Sequence, residues 1–513
     1  MTMYQMKKTM LMLIIYTACL IICSLASESH KITFALKEKD TNVLKDMLLK
    51  ISDPSNKKMF RKYLTHEEVA KLVQPVNGAH EKVMKWIRKN FEQTTISINK
   101  HGDLLYLTTD KEKIENVFKG STDTKNPISI VPLELKEYVY AIHNVVETLP
   151  RMSSIKRKNL KGQFKGIDVN PQIIYKQYGM EDSDVGGKSS KNAQGVAAFE
   201  DAEFKQEDVN DFQKYYKLPS VNIGVVGPNN GGYFGEAGLD TQYITASGRN
   251  VKSFFISQEE FNLLDWCEEV LNMTQIPQVL SVSWGGGESQ YPIAHQTSAN
   301  KCFQKLGSMG VSIFAAAGDD GTGKQGFWTC KKFDPTWPAS SPWVTAVGAT
   351  YINTSNVENG WDFSGGGFSC NFDRPSYQTD LIGSYLNSTA NLPDSSLFCK
   401  NGRGTPDISA VGTNFLLCSG GCSNQGSLSG TSASTPTVAG MVSVINDLLL
   451  SQGKAPVGFI NPALYQNSHK VGYDVVTGNN KQGCPSGFPA VKGWDAMTGV
   501  GTPLFNNLKS ILM

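Results

Sequence analysis

A serine and three carboxylates are the residues of this chain whose types and spacing could do chemistry. Ser432 sits in Ser429-Gly-Thr-Ser-Ala-Ser-Thr-Pro436, a Gly-rich polar turn. The turn runs into a helical apolar pattern of Val438, Ala439, Met441, Val442, Val444, Ile445, Leu448 and Leu449. Unpaired N–H groups and the positive dipole end at a helix start stabilise charge on a nearby oxygen, so Ser432 is the candidate nucleophile. A serine hydroxyl needs a base, usually histidine. Residues 167–513 hold only His295 and His469, and both read as surface histidines away from any Gly-rich strand-to-helix turn. Carboxylates take their place at low pH. Glu236 and Asp240, in Gly-Glu-Ala-Gly-Leu-Asp, are four residues apart at a helix start and share one face. Two neighbouring carboxylates resist double ionisation, so one keeps a proton while the other acts as base, and they titrate as a pair. Asp319, in Gly318-Asp319-Asp320-Gly321, follows an apolar strand pattern. Protonated, its O–H can meet the oxyanion formed when a serine attacks a carbonyl. Taken singly, each stretch is also compatible with a helix cap, an acidic first turn or a polar loop.

The elements that must position these groups alternate in type. Val221–Val226, Phe254–Ile256, Val279–Trp284, Val311–Ala317 and Trp343–Val347 read as strands. Helical patterns lie between them at Glu236–Ala246, around Leu263, Leu264 and Val270, and at Ala294–Leu306. Such alternation predicts a mostly parallel sheet with helices on both faces, with a site beyond the carboxyl ends of its strands. Before it, residues 27 to about 150 read as a small α+β unit. A capping box of Thr65 and Glu68 opens one helix, and Val83, Trp86, Ile87 and Phe91 stripe a second. Thr95–Thr109 reads as a hairpin around Lys100-His101-Gly102-Asp103, and Lys111–Phe118 as a further helix.

Glu236…Asp240, Gly318-Asp319 and Ser429-Gly-Thr-Ser432-Ala433, in that order, resemble the sedolisin (serine-carboxyl peptidase) family. Ser283-Trp284-Gly285, Pro338-Ala-Ser-Ser-Pro342 and Ser364-Gly-Gly-Gly-Phe-Ser369 match further blocks of it. The resemblance implies a subtilisin-like fold in which Ser432 is nucleophile and Glu236 general base and acid. Asp240 would support Glu236, and Asp319 would serve the oxyanion. Ser283-Trp284-Gly285 would offer a strand end to a peptide substrate. Tyr473-Asp474-Val475 and Gly493-Trp494-Asp495 resemble the family's calcium site, which implies one structural Ca²⁺ held by Asp474, Asp495 and the carbonyls of Val475, Val491 and Gly493. Val491 stands where many members have glycine. Phe60–Pro75 (FRKYLTHEEVAKLVQP) resembles the family's pro-domain, which implies a ferredoxin-like fold and an inhibitor carried in the same chain. The implied activity is acid peptide hydrolysis through an acyl-enzyme, removing tripeptides from free N-termini of peptides or unfolded proteins. An endopeptidase of the same family, an inactive peptide-binding glycoprotein and a Ca²⁺-dependent structural or adhesion protein are the alternatives.

Length and composition agree with a secreted multidomain chain. The 513 residues are 40% apolar and 19% charged, and the net charge of +2 gives no argument for a nucleic-acid partner. Residues 1–26 read as a signal peptide: Lys7 and Lys8, an apolar Met10–Cys23, then Ser24-Leu25-Ala26. Residues 27–165 form the expected pro-domain, ending in a basic linker of Arg151, Lys156, Arg157, Lys158, Lys161 and Lys165, and 166–513 the peptidase domain. No membrane span is expected in the mature form. Eight cysteines lie outside the signal, none before Cys267, and their even number suggests disulfides, with Cys418 and Cys422 close enough to clip a tight loop. Sequons at Asn272, Asn353 and Asn387 fit the secretory pathway. An acidic, lysosome-like compartment or secretion is the expected destination.

Overall fold

Ile32, Phe34 and Leu36 recur every second residue and bury one face of β1 (Ser29–Leu36). In the computed structural model of the chain, residues 29–119, 126–145, 166–230, 232, 235–323, 330–388, 390–423 and 425–513 are described. The signal peptide and residues 151–165 of the basic linker lie outside them. β1 is flanked by β3 (Leu104–Asp110) and β4 (Val139–His143), and β2 (Thr95–Ile98) pairs with β3. The antiparallel order β2-β3-β1-β4, with helices Ala79–Asn90 and Lys111–Val117 packed on it through Val83, Trp86, Ile87 and Ile114, is the ferredoxin-like arrangement. Residues 73–119 and 126–145 form this unit together with β1.

Residues 40–72 do not belong to it. They pack within the second compact unit, with the remainder of the chain. Their helix Val43–Ser52 buries Leu44, Leu48 and Ile51. Their helix His66–Leu72 starts with the expected capping box, in which Glu68 N–H donates to Thr65 Oγ1 at 3.2 Å and Thr65 N–H to the Glu68 carboxylate at 2.8 Å.

The second unit is built on an eight-stranded sheet. It holds β5 (Gln194–Phe199), β6 (Ile223–Val226), β7 (Ser253–Gln258), β8 (Val279–Val282), β10 (Ser312–Ala316), β12 (Thr345–Ile352), β13 (Glu358–Gly360) and β16 (Ile408–Val411). The path is β13-β12-β10-β8-β5-β7-β6, with β16 also on β12, and every pairing except β12–β13 is parallel. Short antiparallel pairs lie off the sheet: β9 (Gly286–Gly287) with β11 (Thr336–Trp337), and β14 (Gly367–Asp373) with β15 (Gly402–Thr405). β5 lies between β7 and β8 and is buried on both faces. Its sequence, Gln-Gly-Val-Ala-Ala-Phe, has one β-branched residue and no alternation, so pattern alone leaves it unread. His295 corrects an expectation: it lies inside the helix Ile293–Ser308 and is buried, whereas His469 is exposed in a 3₁₀ turn. Thr431–Ser451 is the one described helix long and apolar enough to cross a membrane, and it is buried in the unit.

All eight cysteines outside the signal are paired, as Cys267–Cys302, Cys330–Cys484, Cys370–Cys399 and Cys418–Cys422. A buried polar centre ties β15 and β16 to the edge of the sheet. Arg403, fully buried, donates to the carbonyls of Ser341, Val344 and Gly404 and to Asp407 Oδ2 at 2.5 Å. Asp407 also accepts from Ala346 N–H at 2.7 Å and from Tyr465 Oη at 2.9 Å. Nothing in the local sequence marks Arg403 as buried. Arg403→Met would leave Asp407 without its counter-charge and the Ser341 carbonyl without its Arg403 donor, while Gly404 keeps Gln378 Nε2 and Val344 keeps Asn461 Nδ2. Unfolding free energy in a denaturant titration is expected to fall by about 3–5 kcal/mol, and a change under about 1 kcal/mol would show the pair to be dispensable.

Candidate active site

Two buried helices set the site. Gly235–Gly248 carries Glu236 and Asp240, and Thr431–Ser451 carries Ser432 in its first turn. They cross closely, because a side chain on Gly440 would lie 2.6 Å from the Gly248 nitrogen and 2.6 Å from Ser247 Cβ. The exposures of Glu236, Asp240 and Ser432 are 6%, 1% and 2%, so the acids and the hydroxyl sit where little water screens them. Ser283, just past the carboxyl end of β8, joins the two helices. Its Oγ donates to Asp240 Oδ1 at 2.7 Å, and its carbonyl accepts from Ser432 Oγ at a loose 3.5 Å.

Asp319 follows β10 and reaches the same helix start. Its Oδ1 accepts from Thr431 N–H at 2.8 Å and from Thr431 Oγ1 at 2.9 Å, and Gly318 N–H donates to Thr431 Oγ1 at 3.1 Å. Gly318 has φ +99°, a conformation that favours glycine. Gly365 N–H donates to the Gly318 carbonyl at 2.7 Å, and a side chain at Gly365 would fall 1.9 Å from the Ala317 carbonyl oxygen. The glycine-rich loop 364–369 thus holds the backbone that aims Asp319. Burial pushes the Asp319 carboxyl up to about 7; the bonds from Thr431 oppose this, and the charges of Glu236 and Asp320 add to it.

The four catalytic candidates therefore come together at the carboxyl ends of β8 and β10. Ser283, expected only as part of a substrate-pairing strand end, is a polar link inside the site, and Thr431 is the partner of Asp319. Their type was ordinary; the position of Ser283 at a strand's carboxyl end was the available signal. Beyond β8, Gly286–Gly287 is already paired antiparallel with Thr336–Trp337.

The calcium candidates lie elsewhere in this unit. Asp474 accepts from Gly493 N–H at 2.9 Å, and Asp495 Oδ2 from Val491 N–H at 3.0 Å, so both acids engage the loop 491–495. Asp474 is exposed and Asp495 fully buried. Burial pushes Asp495 up to about 7 against backbone bonds from Val491, Thr498 and Met497. Among the described residues no three His, Cys, Asp or Glu side chains cluster for a metal, so two carboxylates supplemented by carbonyls are the donors on offer. That oxygen-only set fits a hard cation.

Comparison with known proteins places these features in a family. A model described as the Pro-kumamolisin activation domain matches residues 25–126, and one for the Subtilase family matches residues 245–454. Tripeptidyl-peptidase 1 of Homo sapiens is 32% identical over 95% of this chain and 92% of its own length. The Mus musculus protein of that name is 31% identical over the same shares. A solved Pseudomonas sedolisin, described as a serine-carboxyl proteinase complexed with pseudo-iodotyrostatin, superposes with a TM-score of 0.54 at 22% identity, covering 68% of this chain and 98% of its own.

The raised Asp319 makes folding stability depend on pH. Between pH ~4 and ~7 the folded state holds a proton that the unfolded chain has released, so this contribution is full below ~4 and lost as pH rises through ~7. It amounts to at most about 4 kcal/mol. Asp319→Asn is expected to flatten the fall in Tm of the folded chain between pH 4 and 7; an unchanged slope would place the Asp319 carboxyl at an ordinary pKa.

Proposed function

Because the chain belongs to the sedolisin family of serine-carboxyl peptidases, we propose that it is made as a zymogen and, once activated in acid, releases tripeptides from the free N-termini of peptides. The observation that carries the mechanism is the buried run from Asp240 through Ser283 to Ser432, with Asp319 docked on Thr431 beside the nucleophile. Ser432 Oγ attacks the substrate carbonyl carbon and its proton passes to the Glu236 carboxylate. Asp240, four residues on along the same helix face, supports the charge and orientation of Glu236. Asp319, protonated in acid, donates its O–H to the oxyanion. Glu236 returns the proton to the departing amine as the C–N bond breaks, leaving the tripeptide acyl group on Ser432. Water, deprotonated by Glu236, then attacks the ester, and Ser432 recovers its proton. A carboxylate base suits an acidic compartment, where an imidazole would be held protonated and unable to act as a base. The tripeptide reading draws on the similarity to tripeptidyl-peptidase 1 over almost the whole chain.

The pro-part, residues 27–165, is proposed to inhibit the precursor and to be lost in acid, with the mature chain starting near residue 166. The sequons and the signal-like start support passage through the secretory pathway to an acidic, lysosome-like compartment or to the outside. Asp474, Asp495 and the carbonyls of Val475, Val491 and Gly493 would hold one Ca²⁺, which would supply positive charge to a buried carboxylate and tie the loop 491–495 to residues 474–475.

Activated enzyme is expected to cleave an Ala-Ala-Phe amide with an acidic optimum and to lose the N-acetylated form. Ser432→Ala should lower kcat by at least about 10⁴ and Asp319→Ala by about 10²–10³. Ser432-dependent cleavage inside longer peptides without tripeptide release would identify an endopeptidase, and a neutral optimum would remove the carboxylate base. For the metal, adding Ca²⁺ at about 100 times its Kd to chelated enzyme is expected to raise Tm by about 5 °C, from about 2.7 kcal/mol of linked stability. Asp474→Ala should abolish that rise, and a rise that persists would assign the calcium elsewhere.

A further inference from the structure

The segment 40–72 is seated on a face of the peptidase unit that none of the catalytic groups uses. Leu48, on the helix Val43–Ser52, lies over Gly307, where a side chain would come within 3.1 Å of Leu48 Cδ1. Tyr63 enters a slot walled by two glycines. A side chain at Gly310 would lie 2.9 Å from Tyr63 Cδ2, and one at Gly458 only 2.2 Å from its phenol oxygen. That oxygen is buried without a hydrogen-bond partner, so the slot is shaped for the ring and offers nothing to the hydroxyl. Polar bonds frame the contact: Leu64 N–H donates to the Ser308 carbonyl at 2.9 Å, Gln466 Nε2 to Asp53 Oδ1 at 2.7 Å, and the Arg61 guanidinium to the Leu512 carbonyl.

The position of this face matters. Gly310 precedes β10, and Ser312, its first residue, donates from Oγ to the Gly458 carbonyl at 2.6 Å. Asp319 follows the other end of the same strand. The slot is therefore at the amino end of the parallel sheet and the catalytic groups at the carboxyl end, separated by a strand of about 16 Å. We propose that this face is a docking site for the pro-part, away from the candidate catalytic groups, whose occupant is the Asp40–Leu72 segment read through Leu48 and Tyr63. The proposal rests on the zymogen reading above. Its consequence is that cutting the basic linker does not by itself free the pro-part. Leu44, Leu48 and Ile51 would have to be returned to water before the segment leaves, and the vacated slot could take the released segment back in trans.

The test uses the full-length precursor with a foreign protease site inserted in the basic linker, cut at neutral pH on a Ser432→Ala background. Wild-type pro-part is expected to stay non-covalently bound through gel filtration. Tyr63→Ala with Leu48→Ala should speed its dissociation at least about 30-fold. Tyr63→Phe should hold as tightly as wild type, which separates loss of the ring from loss of the hydroxyl. Equal retention by the double variant would overturn the proposal, as would release of wild type on cutting. Should the double variant not fold, hydrogen exchange on the cut wild type decides: amides at residues 308–311 and 457–458 must lose protection when the pro-part leaves, and unchanged protection there would equally overturn it. Catalysis is silent in this assay, so failure of the peptidase mechanism and failure of the docking site are told apart.

Discussion

The structure depends on burying ionisable groups where their charge states can be controlled. Glu236 and Asp240 are almost removed from water and Asp319 is half-buried, and taking a carboxylate out of water costs free energy. Such burial needs walls on every side. The two helices bearing Glu236, Asp240 and Ser432 are buried along nearly their whole length, which few soluble helices are. Gly440 lets them approach until backbone meets side chain, and the parallel sheet supplies the floor. Each acid is then offset differently. Asp240 accepts a hydrogen bond from the Ser283 hydroxyl, while Asp319 accepts two from Thr431 and is still pushed up to about 7 by burial.

The same constraint explains the glycine-rich motifs that surround the site. The loop 364–369 carries no side chain in the candidate chemistry. Its contribution is steric: Gly365 sits against the Ala317 carbonyl and bonds the Gly318 carbonyl, so the turn that presents Asp319 is braced by backbone rather than by flexible side chains. Catalysis is sensitive to misplacement by an ångström, and bracing of this kind fixes the loop-borne acid against Thr431 at the start of the helix that carries Ser432.

Much of this was legible in the sequence because it rests on local periodicity. The i, i+4 spacing of Glu236 and Asp240 places them on one helix face whatever the fold, and the capping box of Thr65 and Glu68 formed as its residue types predict. The strands that could be read were those with β-branched runs, such as Val279–Val282. What escaped were features that exist only through long-range packing. β5 is small and glycine-containing because it lies between two other strands, and a fully enclosed strand carries no alternation. His295 read as a surface histidine, and only the closing of the fold buries it; nothing in the local sequence marks Arg403 as buried either. Ser283 read as part of a strand end, and its bond to Asp240 spans 43 residues.

The path of the N-terminal region follows from the same difference between local and tertiary signals. By sequence, the helices Val43–Ser52 and His66–Leu72 look like members of the small α+β unit, since they lie between its first strand and its helix Ala79–Asn90. Their apolar faces are nevertheless spent on the peptidase unit: Leu48 on Gly307, Tyr63 between Gly310 and Gly458. The four strands and two helices of the small unit already complete its core without them. A segment that its own unit does not need, and that another unit buries, has been placed by what it binds. The chain thus carries, within one stretch of 33 residues, an insertion whose packing ties the fate of the pro-part to a surface that need not change when the catalytic groups change protonation.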